Sequence, residues 1–410
     1  MSCDGDFVDA AAAIGRRIVD DAIWYDGCCS WVGAVQDPAA PWRTEYRALD
    51  ATLYEGTAGV GLFLAQLAVV TGSREAEHAA IGAIRHAVVR AGSRAGFHVG
   101  TLGIAWSAAR VGALLDDAAS REAARRLARA THPPPDGGLD IILGLAGSIM
   151  ARLALAAALE APDSIGDALA AADELLGAAT VTPEGWSWAS RDRPRRRHLC
   201  GLSHGAAGIG WALLELYSAT GEPRFAEAAR GAFAYERSWL DRNAGTWPDL
   251  RVGGQRRGAR TPLPSPAIGT WCHGEAGIAL TRMRAADVLG PEPFAAEARI
   301  ALETTRRHLI TRMALDIEDM TLCHGASGAA DVLLTAAGSA EGLPAELGCM
   351  ALARHDPTGR EWPCGVAAGT LPALFLGMSG IGWWFLRLAD PSIQSPLTLP
   401  TRLTATLAAA

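Results

Sequence analysis

A glycine signature that recurs seven times constrains the fold of this chain more than any other feature. Each copy reads Gly-x-x-Gly and is followed by an apolar run. The first glycines of the copies are Gly56, Gly100, Gly144, Gly205, Gly274, Gly325 and Gly377. The shortest spacing is 44 residues, from Gly56 to Gly100, and the longest is 69 residues, from Gly205 to Gly274. A fixed motif at such a period indicates a repeat architecture, and one period is long enough for two helices.

Each repeat is predicted to contain one buried helix and one outward-packed helix. The run after each signature is apolar on nearly all sides, which is typical of a helix buried on most faces. The segments between signatures, such as 73–92, place apolar residues three and four apart, as an amphipathic helix does. Strand-like alternation is confined to short stretches near Trp186–Ala189 and Trp247–Val252. The sequence therefore predicts an essentially all-α chain.

Seven helical hairpins can form an open solenoid or a closed ring. An open superhelix needs polar repeats at its ends, but the last repeat, at 378–388, is among the most apolar of the chain. We therefore predict a single domain over 1–410, a double-layered α/α toroid of seven helical hairpins whose repeats occupy about 54–390. Residues 1–45 are predicted to be an N-terminal extension, and 391–410 a C-terminal tail.

Composition excludes several classes of function. The chain has 37 basic and 44 acidic residues, a net charge of −7, which disfavours a nucleic-acid binder that must neutralise many phosphates. The first ten residues are acidic rather than basic, and no apolar run reaches the roughly 18 residues of a membrane span. We expect a cytoplasmic protein. The chain has eight cysteines, but a chain of this size does not need a disulfide framework. Cysteines that cluster therefore indicate metal binding or catalysis.

Aligning the repeats on their first glycine brings the polar residues into register. Two cysteines, Cys272 and Cys323, lie two places before the glycine, and His204, His273 and His324 lie one place before it. In a closed toroid these positions would surround one mouth. Two thiolates and an imidazole suit zinc, and a catalytic zinc keeps a fourth position open. Cys272, Cys323 and His324 supply that set, although the equivalence of His273 and His324 leaves open which histidine ligates.

Two further residues are candidates for proton transfer. His204 has no cysteine before it, so it suits a general acid or base near the metal, with a neutral core histidine as the alternative. Asp140 lies four residues before Gly144, where the third inner helix begins. Aspartate is favoured at helix N-caps, and a carboxylate here could also orient or activate a substrate group. Both interpretations of Asp140 stay open.

These elements resemble the lanthionine synthetase C-like family, the cyclases that close thioether rings in lanthipeptides. The resemblance spans essentially the whole chain and is most specific in WCHG at 271–274 and LCHG at 322–325. It implies an α/α toroid with zinc at one mouth. The family's zinc ligands correspond to Cys272, Cys323 and His324, and its catalytic histidine and aspartate correspond to His204 and Asp140.

The resemblance also implies the reaction and its partners. The reaction is Michael addition of a peptide cysteine to a dehydroalanine or dehydrobutyrine, in a precursor peptide made of leader and core. The chain has no room for a dehydratase domain before its first repeat, so we expect a separate dehydratase or kinase-lyase enzyme as partner.

Two positions differ among members of the family. His273 matches the histidine form of the first zinc motif, which is found in bifunctional synthetases. Because three other residues already complete the ligand set, we expect His273 among the catalytic residues. Where some stand-alone cyclases carry an arginine, this chain has Ile268, so that arginine's role is in doubt or assigned elsewhere. Arginine-rich 191–197 and the long segment 243–266 are predicted to contact a leader peptide or partner enzyme, with plain solvated loops as the alternative.

Three other functions compete with this one. A non-catalytic thiol- or peptide-binding scaffold of the same fold is the main alternative, and loss of zinc ligands would favour it. A protein prenyltransferase β-subunit also activates a peptide thiol on zinc, but its ligand set resembles Asp-Cys-His rather than Cys-Cys-His. A glycosidase needs two carboxylates facing each other, and Glu55 and Asp140 are the only acidic candidates, which leaves the cysteines unexplained.

Overall fold

A computed structural model describes residues 4–37, 40–132, 138–161, 164–190, 197–251, 269–315, 317–339, 341–355, 362–364 and 370–398. Within these ranges the chain forms fourteen helices and six short strands. Seven helices each begin directly after a signature glycine: α2 (Thr57–Thr71), α4 (Thr101–Leu114), α6 (Leu145–Leu159), α8 (Ala206–Thr220), α10 (Glu275–Leu289), α12 (Ala326–Ala337) and α14 (Met378–Ala389). We call these the signature helices.

The other seven helices are α1 (Asp4–Asp20), α3 (Arg74–Val89), α5 (Ala118–Ala130), α7 (Ser164–Gly177), α9 (Pro223–Arg237), α11 (Phe294–Ala314) and α13 (Leu343–Arg354). The strands form three antiparallel pairs: β1 (Ile23–Tyr25) with β2 (Cys28–Ser30), β3 (Val32–Asp37) with β4 (Ala40–Ala48), and β5 (Thr180–Thr182) with β6 (Gly185–Ser187). The strand predicted near Trp186 is therefore confirmed, whereas the described part of the stretch from Trp247 contains no strand.

Close backbone packing explains the second glycine of the signature. A Cβ on Gly208 would lie 2.0 Å from the carbonyl oxygen of Leu202, and one on Gly277 would lie 2.0 Å from that of Trp271. At six signatures, a Cβ on the second glycine would lie 1.8 to 2.3 Å from the carbonyl oxygen of the residue six places earlier. No side chain fits at such a distance, so the chain needs glycine at this place in these six signatures.

The described chain divides into two compact units. The first consists of residues 4–93, 99–131 and 311–398, and the second of residues 94–98 and 132–310. The prediction of a single domain over 1–410 stays a prediction. None of the helices in the described ranges combines the length and the apolarity that crossing a membrane requires.

In the first unit, α2 packs on α3 and on α4, α4 packs on α5, and α12 contacts α13 and α14. The last signature helix is covered by α1, from the segment predicted to be an extension. The buried Phe7 ring of α1 stacks on Phe385 of α14 at 6.0 Å. The β-strands that follow α1 are anchored by Trp31, whose Nε1 donates to the carbonyl of Ile18 at 2.6 Å. The N-terminal segment thus supplies the helix that covers α14.

In the second unit, α6 packs on α7 and α8, and α8 packs on α9 and α10. The signature helices are buried on almost every face: in α8, every residue from Ala206 to Leu216 is buried. The outer helix α9 buries one stripe, which includes Phe225, Ala229 and Phe233. Pairing of one fully buried helix with one amphipathic helix is the arrangement that the hydrophobic pattern predicts.

Candidate functional site

Asp140 uses both carboxylate oxygens, and this reconciles its two interpretations. Oδ1 accepts hydrogen bonds from the backbone N–H groups of Ile142, at 2.9 Å, and Leu143, at 2.8 Å. These bonds fix the tight turn before α6, as aspartate side chains commonly do. Oδ2 lies 2.8 Å from His204 Nδ1. The carboxylate therefore stabilises the turn and also faces the imidazole.

The Asp140–His204 pair sets the orientation of the imidazole ring. An ionised carboxylate can only accept hydrogen bonds, so Nδ1 of His204 carries the hydrogen and Nε2 becomes the nitrogen for proton exchange. The side chain of His204 is 34% exposed and that of Asp140 is 17% exposed. A half-exposed imidazole held by a less exposed carboxylate is suited to proton transfer with a bound substrate.

His273 lies beside this pair and is almost fully buried. Its ring centroid is 5.5 Å from that of His204. Burial lowers the pKa of His273 to about 4, and the nearby Cys272 thiol partly offsets this. The imidazole is therefore neutral at pH 7. Its polar surroundings include Asp249, which is buried and paired with Arg251 at 2.7 Å.

The turn that carries His204 is bonded to the turn that carries Cys272. The backbone N–H of Ser203 donates to the carbonyl of Cys272 at 2.8 Å. Gly201 adopts a φ of +94°, and a Cβ there would lie 3.0 Å from the Cα of His273. Only glycine accommodates both this backbone conformation and this approach. The second unit thus brings Cys272 and His273 next to the Asp140–His204 pair.

A buried carboxylate that the sequence analysis missed holds the same turn. Glu236 of α9 is fully buried, and its Oε1 accepts from the N–H groups of Gly201, at 2.7 Å, and Ala207, at 3.0 Å. Its Oε2 accepts from Arg282 of α10 at 3.1 Å, and Arg282 also donates to Glu297 at 2.7 Å. Burial raises the pKa of Glu236, while the Arg282 guanidinium opposes that shift. A signal was available, because Glu236 continues the buried stripe of α9, where an acidic residue is rare unless paired.

In the first unit, Cys323 and His324 lie in the turn before α12. Cys323 is buried, and the hydroxyl of Tyr54 donates to its Sγ at 2.8 Å. The backbone N–H of Cys323 donates to the carbonyl of Phe375 at 3.0 Å, and the N–H of Phe375 donates to the carbonyl of Tyr54 at 3.0 Å. His324 is exposed, and its carbonyl accepts from Arg312 at 2.9 Å. This unit therefore presents one buried thiol and one accessible imidazole from adjacent residues.

Cys200 and Cys272 differ in the burial of their thiols. Cys200 is buried, and burial raises the pKa of its thiol well above the ordinary value, so it stays protonated. Cys272 is half-buried, and its Sγ lies 3.7 Å from Thr270 Oγ1. A half-exposed thiol is available for a metal or a reagent.

The loops predicted to contact a peptide lie largely outside the described residues. This holds for 191–196, for 252–268 and hence for Ile268. Arg197 is described, and its guanidinium lies over the Trp239 ring at 5.6 Å from the centroid. Contact of these loops with a leader peptide or partner stays a prediction.

Comparison with known proteins agrees with the motifs. Residues 47–401 match the family model described as lanthionine synthetase C-like protein. The chain is similar in structure to nisin cyclase, with a TM-score of 0.62 and 18% identity, over 85% of this chain and 90% of that one. This likeness confirms the predicted fold class, the all-α toroid.

Weaker likenesses support no further inference. An α-1,6-mannanase variant from Salegentibacter sp. HEL1_6 is 12% identical, with a TM-score of 0.42, over 74% of this chain and 87% of that one. D-mannose isomerase is also 12% identical, with a TM-score of 0.45, over 74% of this chain and 85% of that one.

Proposed function

The chain belongs to the lanthionine synthetase C-like family, and we propose that it is a zinc-dependent peptide cyclase. In this proposal it adds a cysteine thiol of a ribosomally made peptide to a dehydroalanine or dehydrobutyrine of the same peptide. The product is a thioether of the lanthionine or methyllanthionine type. The observation that carries the proposal is the Asp140–His204 pair, which stands against the turn of Cys272 in a chain with a lanthipeptide cyclase fold.

The proposed metal ligands are Cys272, Cys323 and His324. Their chemistry fits zinc, because two thiolates and one imidazole form a borderline-soft set that is common in catalytic zinc sites. Both cysteines hold the same place in their signature turns, two residues before the glycine. Zinc, when bound, supplies a lowered pKa for a peptide thiol at neutral pH.

His204 is proposed to deliver the proton that completes the addition. Attack of the thiolate on the β-carbon forms the C–S bond, breaks the π bond and leaves the electron pair at the α-carbon. That carbon must take a proton, and the Nε2 of a protonated His204 is the proposed donor. Asp140 holds Nδ1 at 2.8 Å and stabilises the imidazolium. His273 is proposed as a neutral partner that faces the substrate beside His204.

The substrate defines the proposed partners. A dehydrated precursor peptide contains alkenes that arise by loss of water from serine and threonine, and we propose that a separate dehydrating enzyme acts first. A cytoplasmic location stays a prediction.

Zinc content tests the ligand set. We expect one zinc per chain by inductively coupled plasma mass spectrometry, and its loss in Cys272→Ala and in Cys323→Ala. Cys349→Ala is the matched control, because Cys349 is also a half-buried thiol and lies outside the signature turns. A folded wild-type protein without zinc would overturn the proposal and would favour a non-catalytic thiol- or peptide-binding scaffold.

Cyclisation of a dehydrated peptide tests the acid–base assignment. We expect His204→Ala to keep its zinc and to lose about 10²- to 10⁴-fold in rate, the usual contribution of a general acid or base. Rings are counted by mass spectrometry after alkylation of the remaining thiols. His132→Ala, which removes an exposed imidazole of the same unit, is the control. A full rate in His204→Ala would remove the proton-donor role.

A further inference from the structure

Tyr54 makes a side-chain contact that the proposed reaction does not account for. Its hydroxyl oxygen lies 2.8 Å from the Sγ of Cys323, 269 residues away in sequence. Tyr54 occupies the same repeat position as Cys323, two residues before a signature glycine. The contact therefore joins equivalent positions of two repeats.

The surroundings fix where this hydroxyl points. The Tyr54 ring stacks on Phe375, with centroids 4.9 Å apart and planes 18° apart. Phe375 is in turn bonded through its backbone to both partners, since it accepts from the N–H of Cys323 and donates to the carbonyl of Tyr54, each at 3.0 Å. Ring and backbone together hold the phenol at the sulfur. A contact held from two sides requires no further ordering of the side chain when the sulfur becomes a thiolate.

The Tyr54 hydroxyl affects the charge on the sulfur that it contacts. A phenol is a stronger hydrogen-bond donor than an aliphatic alcohol. It stabilises negative charge on the sulfur that accepts from it and withdraws electron density from that sulfur. Cys323 therefore has a charge-stabilising partner in Tyr54.

We propose that Tyr54 is a positioning residue for Cys323: its hydroxyl orients Sγ as a metal ligand and makes this thiolate a weaker electron donor than it would be without the hydrogen bond. This inference rests on the proposed zinc site. Hydrogen-bonding partners of metal ligands contribute to affinity, and their removal typically costs about 10- to 100-fold.

The test compares metal binding in the full chain and in Tyr54→Phe. The variant removes one oxygen and keeps the ring that stacks on Phe375. We expect its zinc affinity, measured by competition with a chromophoric chelator, to fall about 10- to 100-fold. We also expect the thiolate-to-metal charge-transfer band of the cobalt-substituted protein to move to lower energy, because a thiolate without the hydrogen bond is easier to oxidise.

Two further variants sharpen the result. Tyr46→Phe removes a 66% exposed phenol of the same unit and is expected to change neither readout. A Tyr54→3-fluorotyrosine protein keeps the hydroxyl and makes it a stronger donor, so the cobalt band is expected to move to higher energy. This second variant keeps the inference testable if Tyr54→Phe fails to fold.

The outcomes separate the inference from the proposed function. Wild-type affinity and an unchanged cobalt band in Tyr54→Phe overturn the role of Tyr54 and leave the zinc site intact. A wild-type protein that binds neither metal overturns both. Weaker binding in Tyr54→Phe, in a protein that fails to cyclise dehydrated peptides, supports the role of Tyr54 and overturns the cyclase assignment.

Discussion

Replacement of Arg282 by methionine is expected to destabilise the chain strongly, because it removes the cation that is paired with the buried carboxylate of Glu236 on α9. Arg282 is fully buried between two acidic side chains, Glu236 at 3.1 Å and Glu297 at 2.7 Å. Methionine retains most of the volume of the arginine stem and removes the charge. Glu297 keeps a second partner in Arg237. Glu236 has no other cation in the described contacts, so the loss acts mainly on Glu236.

The size of the effect follows from the burial of Glu236. Removal of one partner from a buried ion pair costs about 3–5 kcal/mol, because the remaining charge has lost its compensation. The two backbone hydrogen bonds to Gly201 and Ala207 persist and keep the carboxylate in place. We therefore expect the free energy of unfolding to fall by about 3–5 kcal/mol at pH 7.

A second substitution tests the reason for this loss. In Arg282→Met with Glu236→Gln, the glutamine oxygen still accepts both backbone N–H groups but carries no charge. We expect the double variant to regain about 1–3 kcal/mol relative to Arg282→Met alone, within the usual coupling of residues in contact. The assay is urea unfolding followed by circular dichroism. A double variant less stable than Arg282→Met would refute the argument.

An exposed arginine provides the control for the same change. Arg224 of α9 also pairs with two carboxylates, Asp173 and Glu222, but its side chain is 45% exposed. Surface ion pairs contribute little to stability, so Arg224→Met is expected to leave the urea midpoint nearly unchanged. Equal losses in Arg282→Met and Arg224→Met would show that charge burial is not the cause.

Two further predictions concern backbone packing and pH. Gly208→Ala, whose Cβ would lie 2.0 Å from the carbonyl of Leu202, is expected to cost about 1–3 kcal/mol or more in urea unfolding. Gly166→Ala, with open space around its Cβ, should instead gain about 0.5–1 kcal/mol. Burial lowers the pKa of His98 to about 4, opposed by the Ile141 carbonyl and the Asp140 charge. As the pH falls below 6.5 the unfolded chain binds a proton that the folded chain excludes, so stability decreases down to about pH 4. At about 1.4 kcal/mol per pH unit, the loss at pH 5 is about 2 kcal/mol relative to pH 7. His98→Gln should lack this component, and an equal slope in both proteins would contradict the prediction.

The signature helices were predictable because their cause is local. The recurring glycines are visible in the sequence of every repeat, and the apolar run that follows them predicts burial. The helix that covers α14 was not predictable in the same way. That helix, α1, lies at the opposite end of the chain from α14, and the sequence of an amphipathic helix does not specify which neighbour it covers. The β1–β2 and β3–β4 pairs in the same segment are short and lack the strict alternation that identifies a strand.

In the candidate site too, residues could be predicted from local motifs, whereas contacts between distant residues could not. The histidine and aspartate were identified from their places in the repeat, but the bond between Asp140 and His204 joins residues 64 apart and needs the packing of α6 on α8. Glu236 was missed because it is buried on an outer helix and acts on backbone groups of a neighbouring turn. Its role depends on two N–H groups that no side-chain pattern reveals.

The position two residues before each glycine explains why reactive side chains can accumulate in these turns. In the first unit, the backbone of Cys323 bonds to Phe375 and that of Phe375 to Tyr54; in the second, Ser203 bonds to Cys272. All three bonds join residues at this one position of neighbouring turns, and none uses a side chain. Because these bonds are made by main-chain groups, they do not depend on which side chain stands at this position. Tyrosine, serine, cysteine and phenylalanine therefore occupy the same place in one fold, and the chemistry of a turn can change without a change in its backbone.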